Sequence, residues 1–451
     1  MVHPMITAAL VRLFKTVRYD EISGDAQPAR ASTTLATIPE VASSSNGVAS
    51  RSEQLKQLRS RCATELEYEI ESSKEHWTEL DSERSEVFSE ELMAENREAF
   101  ERLMEKWRCP KTGKCFFHDW GDSLKVRKKI AEGGQAEIFE AKFQDEDGMP
   151  SHDKIVVKVF KSYHPLKDLE RIWPRGMFKP QQHRSDQTVS THFIHEYCCH
   201  IYGATLLENG RFAFVLGRYW GDLRKLIDLK RRESAKYYFR QKKVLQEIML
   251  EMAKGMQKLH HHKILHRDLK ASNVLVHLDG SDPTQLQNFD LSHKGYTLDV
   301  ADFESSVAVV GTGFWRAPEV LIALKNKEFG RKTWTMKGDV YSYAMTCYEV
   351  ITGFIPFEDV NINVNDVISG ARPSWHNIDD DIDYYILNLV SSCWHPIPQL
   401  RPSFDEIVDF LGRRLYELSM PLSPEHELCF GGSHREHTYS RDYSTEIMNR
   451  I

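Results

Sequence analysis

The chain has 451 residues, which is too long for a single ordinary domain, and its 41% hydrophobic and 28% charged residues are typical of a globular protein. No apolar run reaches the roughly 18 residues of a membrane span, so we expect no transmembrane segment. The net charge of −7 comes from acidic residues mixed with basic ones along the whole chain, which argues against a nucleic-acid partner.

Residues 1–50 are predicted to be a disordered N-terminal region. Residues 1–19 carry Arg and Lys but no acid, with apolar residues between them, as in a targeting or membrane-surface segment. An ordinary flexible terminus is the alternative, which the acidic pair Asp20 and Glu21 favours. Because the chain has eight cysteines and no recognisable signal peptide, we expect reduced thiols and an intracellular, cytoplasmic protein.

Residues 51–108 form a charged segment with a helical period. From Leu55 to Trp107 an apolar residue recurs every three or four positions, and neither Pro nor Gly interrupts the pattern. The pattern predicts one long helix or a helical hairpin, similar to a coiled coil. It is either a module for self-association or for a regulatory partner, or a helix that packs on the domain that follows it.

Residues 120–415 are predicted to form one two-lobed domain. Short β-branched runs come first and longer helical periods follow, which indicates an α+β organisation with a strand-rich lobe before a helical lobe. Residues 416–451 lack a sustained period and are predicted to be a flexible tail.

Two segments near the start of this domain fit phosphate binding. Gly133 lies between two strand-like runs, where small residues allow the backbone to approach a phosphate, although a simple hairpin has the same pattern. Lys158 lies inside the strand-like run Ile155–Phe160, and a lysine that faces inwards from a half-buried strand needs an anionic partner. A lysine on an exposed edge strand is the alternative.

Residues 266–273 place an acid, a cation and an amide at spacings that phosphoryl transfer requires. Asp268 would orient the substrate hydroxyl, Lys270 would contact the γ-phosphate, and Asn273 would bind magnesium. Further along the chain, Asp302 follows an apolar pair and offers a second magnesium ligand.

These segments, followed by Gly311–Glu319 and Asp339, resemble the eukaryotic protein kinase family over residues 124–415. The Trp-x-Ala-Pro-Glu string, Asp339-Val-Tyr-Ser and Cys393-Trp394 are similar to its tyrosine-kinase-like group of serine/threonine kinases, of the plant, Raf and mixed-lineage types. The resemblance implies an α+β, two-lobed protein kinase fold with a β-rich N-lobe and an α-helical C-lobe, here preceded by a helical segment.

The resemblance also implies ATP and Mg²⁺ as cofactors and assigns roles to single residues. The catalytic residues would be Asp268, Lys270 and Lys158, and the metal ligands would be Asn273 and Asp302. Glu319, Asp339 and Arg401 would be structural. The ATP site would be lined by Ile130, Ala131, Gly133, Ile138, Val156, Lys158, Leu216, Gly217, Tyr219 and Leu275.

The motifs leave two alternatives each for regulation and for the partner of Lys158. In this family Arg267 would hold a phosphorylated activation segment, for which Ser305 and Ser306 are the candidate sites, or the segment is ordered without phosphate. Kinases of this family pair the strand lysine with a glutamate of the following helix. Asp186 and Glu170 are the two candidates for that acidic partner here, and the sequence does not choose between them.

Two functions remain open at this point. Lys270 two residues after the acid, together with Thr312, indicates a kinase that phosphorylates Ser or Thr hydroxyls of proteins in intracellular signalling. The alternative is a pseudokinase, a scaffold or switch that binds nucleotide weakly and signals through the N-terminal helical region. Glu304 in place of the usual glycine after Asp302-Phe303, and Ala131 in the glycine-rich loop, favour this alternative.

Overall fold

The computed structural model describes residues 89–108, 115–133, 136–143, 155–161, 165–174, 196–233, 242–278, 296–304, 306, 311–328, 333–375 and 382–419. Its strands are β1 Leu124–Glu132, β2 Ala136–Phe143, β3 Ile155–Phe160, β4 Ile201–Leu206, β5 Phe212–Gly217, β6 Gly221–Asp222, β7 Val274–Leu278 and β8 Tyr296–Val300. Its α-helices are α1 Glu90–Trp107, α2 Leu166–Ile172, α3 Leu223–Glu233, α4 Lys242–His261, α5 Pro318–Lys325, α6 Met336–Thr352, α7 Val364–Ile368, α8 Tyr384–Cys393 and α9 Phe404–Ser419.

The small lobe is built on a five-stranded antiparallel sheet with the order β1-β2-β3-β5-β4. Side chains alternate along β3, so Val157 and Val159 face one apolar cluster while Val156 and Phe160 face the main core. Lys158 shares the face of Val156 and Phe160. The strand therefore directs its lysine towards the interior of the domain.

Helix α1 packs on the small lobe. Ser89 caps its first turn by accepting a hydrogen bond from the Leu92 amide at 3.2 Å. The buried Asn96 side chain donates to the carbonyl of Gly210 and accepts from the amide of Leu166, both at 2.9 Å. For residues 90–107 the structure thus supports the interpretation of a helix packed on its own domain, and residues 51–88 lie outside the described ranges.

Aromatic rings fill the space between α1 and the sheet. The Phe100 ring meets Phe117 edge to face, with centroids 6.1 Å apart, and lies 6.5 Å from the Phe212 ring. Trp173, just after α2, lies 5.0 Å from the Phe212 ring and 5.7 Å from the Phe117 ring. Helix α1, helix α2 and the strands consequently share one apolar core.

The large lobe is organised around two buried helices, α4 and α6. Thr335 caps α6 through the Gly338 amide at 3.2 Å, and Gly353 ends the helix in a left-handed conformation with φ of 78°. Because α6 is buried over almost its whole length, the polar groups that it carries into the core all need partners. The short sheet β6-β7-β8 lies after the small lobe in the chain.

Near the C-terminal end of the described residues, α9 continues to Ser419. The prediction that a flexible tail begins at residue 416 is therefore wrong for residues 416–419, which form the exposed last turn of α9, where the Ser419 hydroxyl donates to the Leu415 carbonyl at 2.8 Å. Residues 420–451 lie outside the described ranges. Within those ranges no helix combines the length and apolar character that crossing a membrane requires, and the cysteines are free thiols.

Candidate active site

Asp339, in the first turn of α6, fixes the backbone of the loop that precedes β7. Its buried carboxylate accepts from the amides of His266 at 2.9 Å and Arg267 at 2.8 Å, and it contacts His260 Nε2 at 2.8 Å. Burial alone would raise the pKa of Asp339, but these hydrogen bonds and the nearby imidazoles hold it below its usual value. The anchoring matters because Arg267 adopts a positive φ of 68°, which costs energy for a residue with a side chain.

A second buried carboxylate supports the same loop. Glu349, near the end of α6, accepts from the Ala271 amide at 3.0 Å and from Trp315 Nε1 at 2.9 Å, and it pairs with Arg224 at 3.2 Å. Burial raises its pKa above the usual value. The sequence analysis missed this residue, although a lone acid in the apolar run Tyr341–Ile351 was a usable signal.

Asp268 lies at the centre of a cluster of hydrogen bonds. Asn273 Nδ2 donates to its backbone carbonyl at 2.8 Å and to its carboxylate at 3.1 Å. Thr312 Oγ1 donates to the other carboxylate oxygen at 2.6 Å and accepts from Lys270 Nζ at 2.6 Å, while Lys270 Nζ lies 3.0 Å from Asp268 Oδ2. The three predicted residues of the loop are thus brought together, and Thr312 joins them from the activation segment.

Lys158 of β3 points into the same region and forms two ion pairs. Its ammonium contacts Asp302 Oδ1 at 2.9 Å and also the carboxylate of Glu304. Burial alone would lower the pKa of Lys158, but the two carboxylates outweigh that effect and raise it. In turn the Lys158 ammonium lowers the pKa of Asp302, with smaller contributions from His266 and Lys270.

Helix α2 does not supply the partner of Lys158 from its described acids. Glu170 forms its ion pair with Lys106 of α1 at 2.8 Å, and Asp168 forms one with Arg171 at 3.4 Å. The candidate Glu170 is therefore wrong, because the buried positions of α2 turn its charged face towards α1. The other candidate, Asp186, lies outside the described residues.

The predicted ATP-site residues lie on both sheets. In the small lobe, Val156 of β3 pairs with Leu216 of β5, and both are buried. Ile138 of β2 is half-buried opposite Lys158. Leu275 lies on β7, in the other sheet. The remaining residues are at the ends of strands: Ile130, Ala131, Gly133, Gly217 and Tyr219.

Tyr219 ties the segment after β5 to the rest of the domain. Its hydroxyl donates to Asp299 Oδ2 at 2.7 Å and accepts from the His200 amide at 3.1 Å. Burial raises the pKa of Asp299, on β8, to about 6. The backbone is held as well, since the Gly217 amide donates to the His200 carbonyl at 2.9 Å.

The two predicted metal ligands have the chemistry that magnesium prefers. The Asp302 side chain is 55% exposed, and only one of its carboxylate oxygens has a hydrogen-bond partner among the described residues. Asn273 uses its NH₂ group on Asp268, which leaves its amide oxygen for a cation. Since Mg²⁺ takes oxygen ligands and usually only one or two carboxylates plus substrate phosphates, these two residues fit it.

The predicted regulatory residues have different surroundings. Arg267 stacks its guanidinium 5.1 Å from the Trp334 ring, and burial lowers its pKa. Ser306 is only 1% exposed, so its hydroxyl is not accessible to another kinase in this conformation, and its role as a phosphorylation site stays a prediction. Ser305 lies outside the described residues.

Glu319 and Arg401 form the predicted structural pair. Arg401 is fully buried and donates to both carboxylate oxygens of Glu319, at 2.7 and 2.8 Å. It also donates to the carbonyls of His395 and Lys337, each at 2.8 Å. The pair fixes the start of α5, just after the activation segment, against the turn before α9.

Comparison with known proteins shows a matching family. Residues 124–410 match the protein kinase domain. The chain is similar to the RGS domain-containing serine/threonine-protein kinase A of Dictyostelium discoideum, with 36% identity over 169 residues, which are 37% of this chain and 13% of that protein. With serine/threonine-protein kinase STY17 of Arabidopsis thaliana the identity is 31% over 179 residues, or 39% of this chain and 28% of that protein.

A third relative is mitogen-activated protein kinase kinase kinase 12 of Rattus norvegicus, which is 31% identical over 157 residues, 35% of this chain and 16% of that protein. The chain thus aligns with less than a third of the length of each of these relatives. These similarities agree with the resemblance to tyrosine-kinase-like serine/threonine kinases.

Proposed function

Because the chain belongs to the protein kinase domain family, we propose that it is an ATP-dependent serine/threonine kinase that transfers the γ-phosphate of ATP to hydroxyl groups of protein substrates. We propose that the protein acts in intracellular signalling. The observation that carries the proposal is the cluster formed by Asp268, Lys270 and Thr312.

In the proposed reaction Asp268 acts on the substrate hydroxyl. Its carboxylate is oriented by Asn273 and Thr312, so one carboxylate oxygen can accept the proton of the substrate hydroxyl. The hydroxyl oxygen then bonds to the γ-phosphorus of ATP as the bond from that phosphorus to the β–γ bridging oxygen breaks and ADP leaves. Lys270, 3.0 Å from the same carboxylate, would stabilise the negative charge on the transferred phosphoryl group. The orientation of the acid before the substrate arrives is what makes the step fast.

Nucleotide binding is proposed for the space between Lys158, Asp302 and the buried residues of β3 and β5. Lys158 would contact the α- and β-phosphates, and the apolar side chains of Val156 and Leu216 would pack near adenine. Bound magnesium, held by Asp302 and Asn273, would neutralise part of the phosphate charge.

Serine and threonine are the proposed acceptors. Lys270 and Thr312 both bond to Asp268 and therefore occupy the volume beside the attacking oxygen. The relatives named as serine/threonine kinases support the same choice.

The test compares phosphate transfer from ATP to a generic protein substrate by the wild type and by Asp268→Asn. We expect a loss of at least about 100-fold in the variant, since a positioned general base contributes 10²–10⁴-fold. Equal rates would refute the proposal. A thermal-shift measurement with Mg-ATP completes the design, because binding without transfer in both proteins would indicate the pseudokinase alternative.

We also propose regulation through Ser305, whose phosphate would pair with Arg267. Ser306→Ala serves as the matched control, because the buried Ser306 cannot be modified in this conformation. Ser305→Ala should lower the activity of protein purified from cells, while Ser306→Ala should not. Full activity of Ser305→Ala would contradict the role of Ser305.

A further inference from the structure

Glu304 occupies a position where the kinase motif usually carries glycine, and its carboxylate contacts the ammonium of Lys158. We propose that Glu304 is the positioning residue of Lys158 and performs within the metal-binding motif the task that a helix glutamate performs in other kinases. The inference rests on the proposed function, because it concerns how Lys158 is presented to the phosphates of ATP.

The burial of the pair supports a lasting contact. The Glu304 side chain is 3% exposed and that of Lys158 is 13% exposed, whereas the Asp302 side chain is 55% exposed. A buried carboxylate without a cation is costly, so Glu304 requires Lys158 as much as Lys158 requires an anion. Among the described residues, Lys158 is the cation that bonds to Glu304.

The described helix between β3 and β4, α2, has charged residues that are engaged elsewhere. Lys167 and Glu170 of α2 form ion pairs with Glu95 and Lys106 of α1, at 2.7 and 2.8 Å. The charged face of α2 is therefore directed to α1, and its buried face contains Leu166 and Leu169. The described acids of α2 are both paired with other cations, so neither contacts Lys158. The partner of Lys158 therefore comes from outside α2, as Glu304 does.

The two carboxylates at Lys158 have different tasks in this arrangement. Asp302 is exposed enough to turn to a metal ion, and it would then share less of its charge with Lys158. Glu304 is enclosed and stays with the lysine, which keeps the ammonium extended towards the cleft. The backbone nearby is fixed, since Phe303 is buried and its carbonyl accepts from the Ser306 amide at 3.3 Å.

The competing model for the same contact is that Glu304 competes with the phosphates of ATP for Lys158. The two effects differ in sign. A positioning residue that is neutralised weakens ATP binding and slows transfer, whereas a competitor that is neutralised strengthens both. We commit to the first, because Lys158 has two carboxylates beside it, so the enclosed Glu304 remains at the ammonium when Asp302 turns to a metal ion and phosphates attract the lysine.

The experiment uses Glu304→Gln, which keeps the shape and removes the charge, with Glu170→Gln as the matched control on α2. The dissociation constant of Mg-ATP is measured by calorimetric titration, and kcat and both KM values are measured with a generic protein substrate. For Glu304→Gln we expect the dissociation constant and the KM for ATP to rise, and kcat to fall, each about tenfold, as for loss of one charge-assisted hydrogen bond. The KM for the protein substrate and all constants of Glu170→Gln should stay within about twofold of the wild type.

Tighter ATP binding or faster transfer by Glu304→Gln would overturn the proposal, and so would equal loss in both variants. If Glu304→Gln is unstable, Glu304→Gly tests the same point, because glycine is the residue that the motif usually carries. The inference and the proposed function can fail separately. A wild type that binds Mg-ATP but transfers no phosphate would refute the function, while weaker ATP binding by Glu304→Gln would still support the positioning role.

Discussion

Thr312 offers a sharp test of how the catalytic acid is oriented. Thr312→Val keeps the size of the side chain and removes the hydroxyl, which donates to Asp268 and accepts from Lys270, each at 2.6 Å. A hydrogen bond to a charged group contributes about 1.5–3 kcal/mol. Lys270 and Asp268 keep their direct contact at 3.0 Å, so we count one such bond as lost in the transition state. The expected decrease in kcat is therefore about 10- to 100-fold.

The assay is steady-state phosphate transfer to a serine-containing peptide, with thermal unfolding as a control of folding. We expect the KM for ATP to change little, because Thr312 contacts the acid and the lysine of the catalytic loop and not Lys158. Thr312→Ser is the matched variant, since it retains the hydroxyl and loses a methyl group. It should keep most of the wild-type kcat.

Two results would refute this reasoning. One is a kcat of Thr312→Val within about threefold of the wild type, which would mean that Asn273 and Lys270 alone orient Asp268. The other is an equal loss in Thr312→Ser, which would assign the effect to packing of the methyl group.

Three other predictions concern stability. Arg401→Met leaves Glu319 without its fully buried partner, so the free energy of unfolding should fall by about 3–5 kcal/mol. Adding Glu319→Leu to the same chain should restore part of that loss. Urea unfolding measures both variants, and a loss below about 1 kcal/mol in Arg401→Met would contradict the estimate. Burial raises the pKa of Asp299 from 3.8 to about 6, so the folded state binds a proton more tightly than the unfolded state does. The free energy of unfolding should therefore fall by at most about 3 kcal/mol as the pH rises from about 4 to above 6. Asp299→Asn should remove this fall, and the same dependence in both proteins at pH values between about 4 and 7 would rule it out. Asn96→Ala breaks two buried hydrogen bonds between α1 and the small lobe and should cost about 1–3 kcal/mol, measured by thermal unfolding; an unchanged midpoint would show that α1 is not held there.

Where a motif carries the predicted chemistry, the sequence indicated which residues the structure brings together. Asp268, Lys270 and Asn273 lie within eight consecutive residues, so their proximity follows from the chain itself, and Lys158 follows from the alternation along a strand. The two-lobed fold is confirmed as well. Local pattern was sufficient because these parts are set by spacing and periodicity.

What the sequence did not predict depends on long-range contacts. From the sequence, Glu304 was interpreted as a replacement of the usual glycine that favours the pseudokinase alternative, but the structure buries it against Lys158, which lies 146 positions earlier. The partner of Glu170 is on α1, and only the docking of that helix reveals it. Such pairings are decided by which faces of two helices meet, and apolar periodicity gives the face without its partner.

The docking of α1 also bears on how this protein can vary between species. The family match begins at residue 124, yet Phe100 belongs to the same aromatic core as Phe212 of β5. A change of size at one ring must be met by a change at the other, because packed interiors tolerate neither cavities nor excess volume. We therefore expect the helix and the small lobe to be inherited as one unit, with substitutions in α1 tracking those of the sheet.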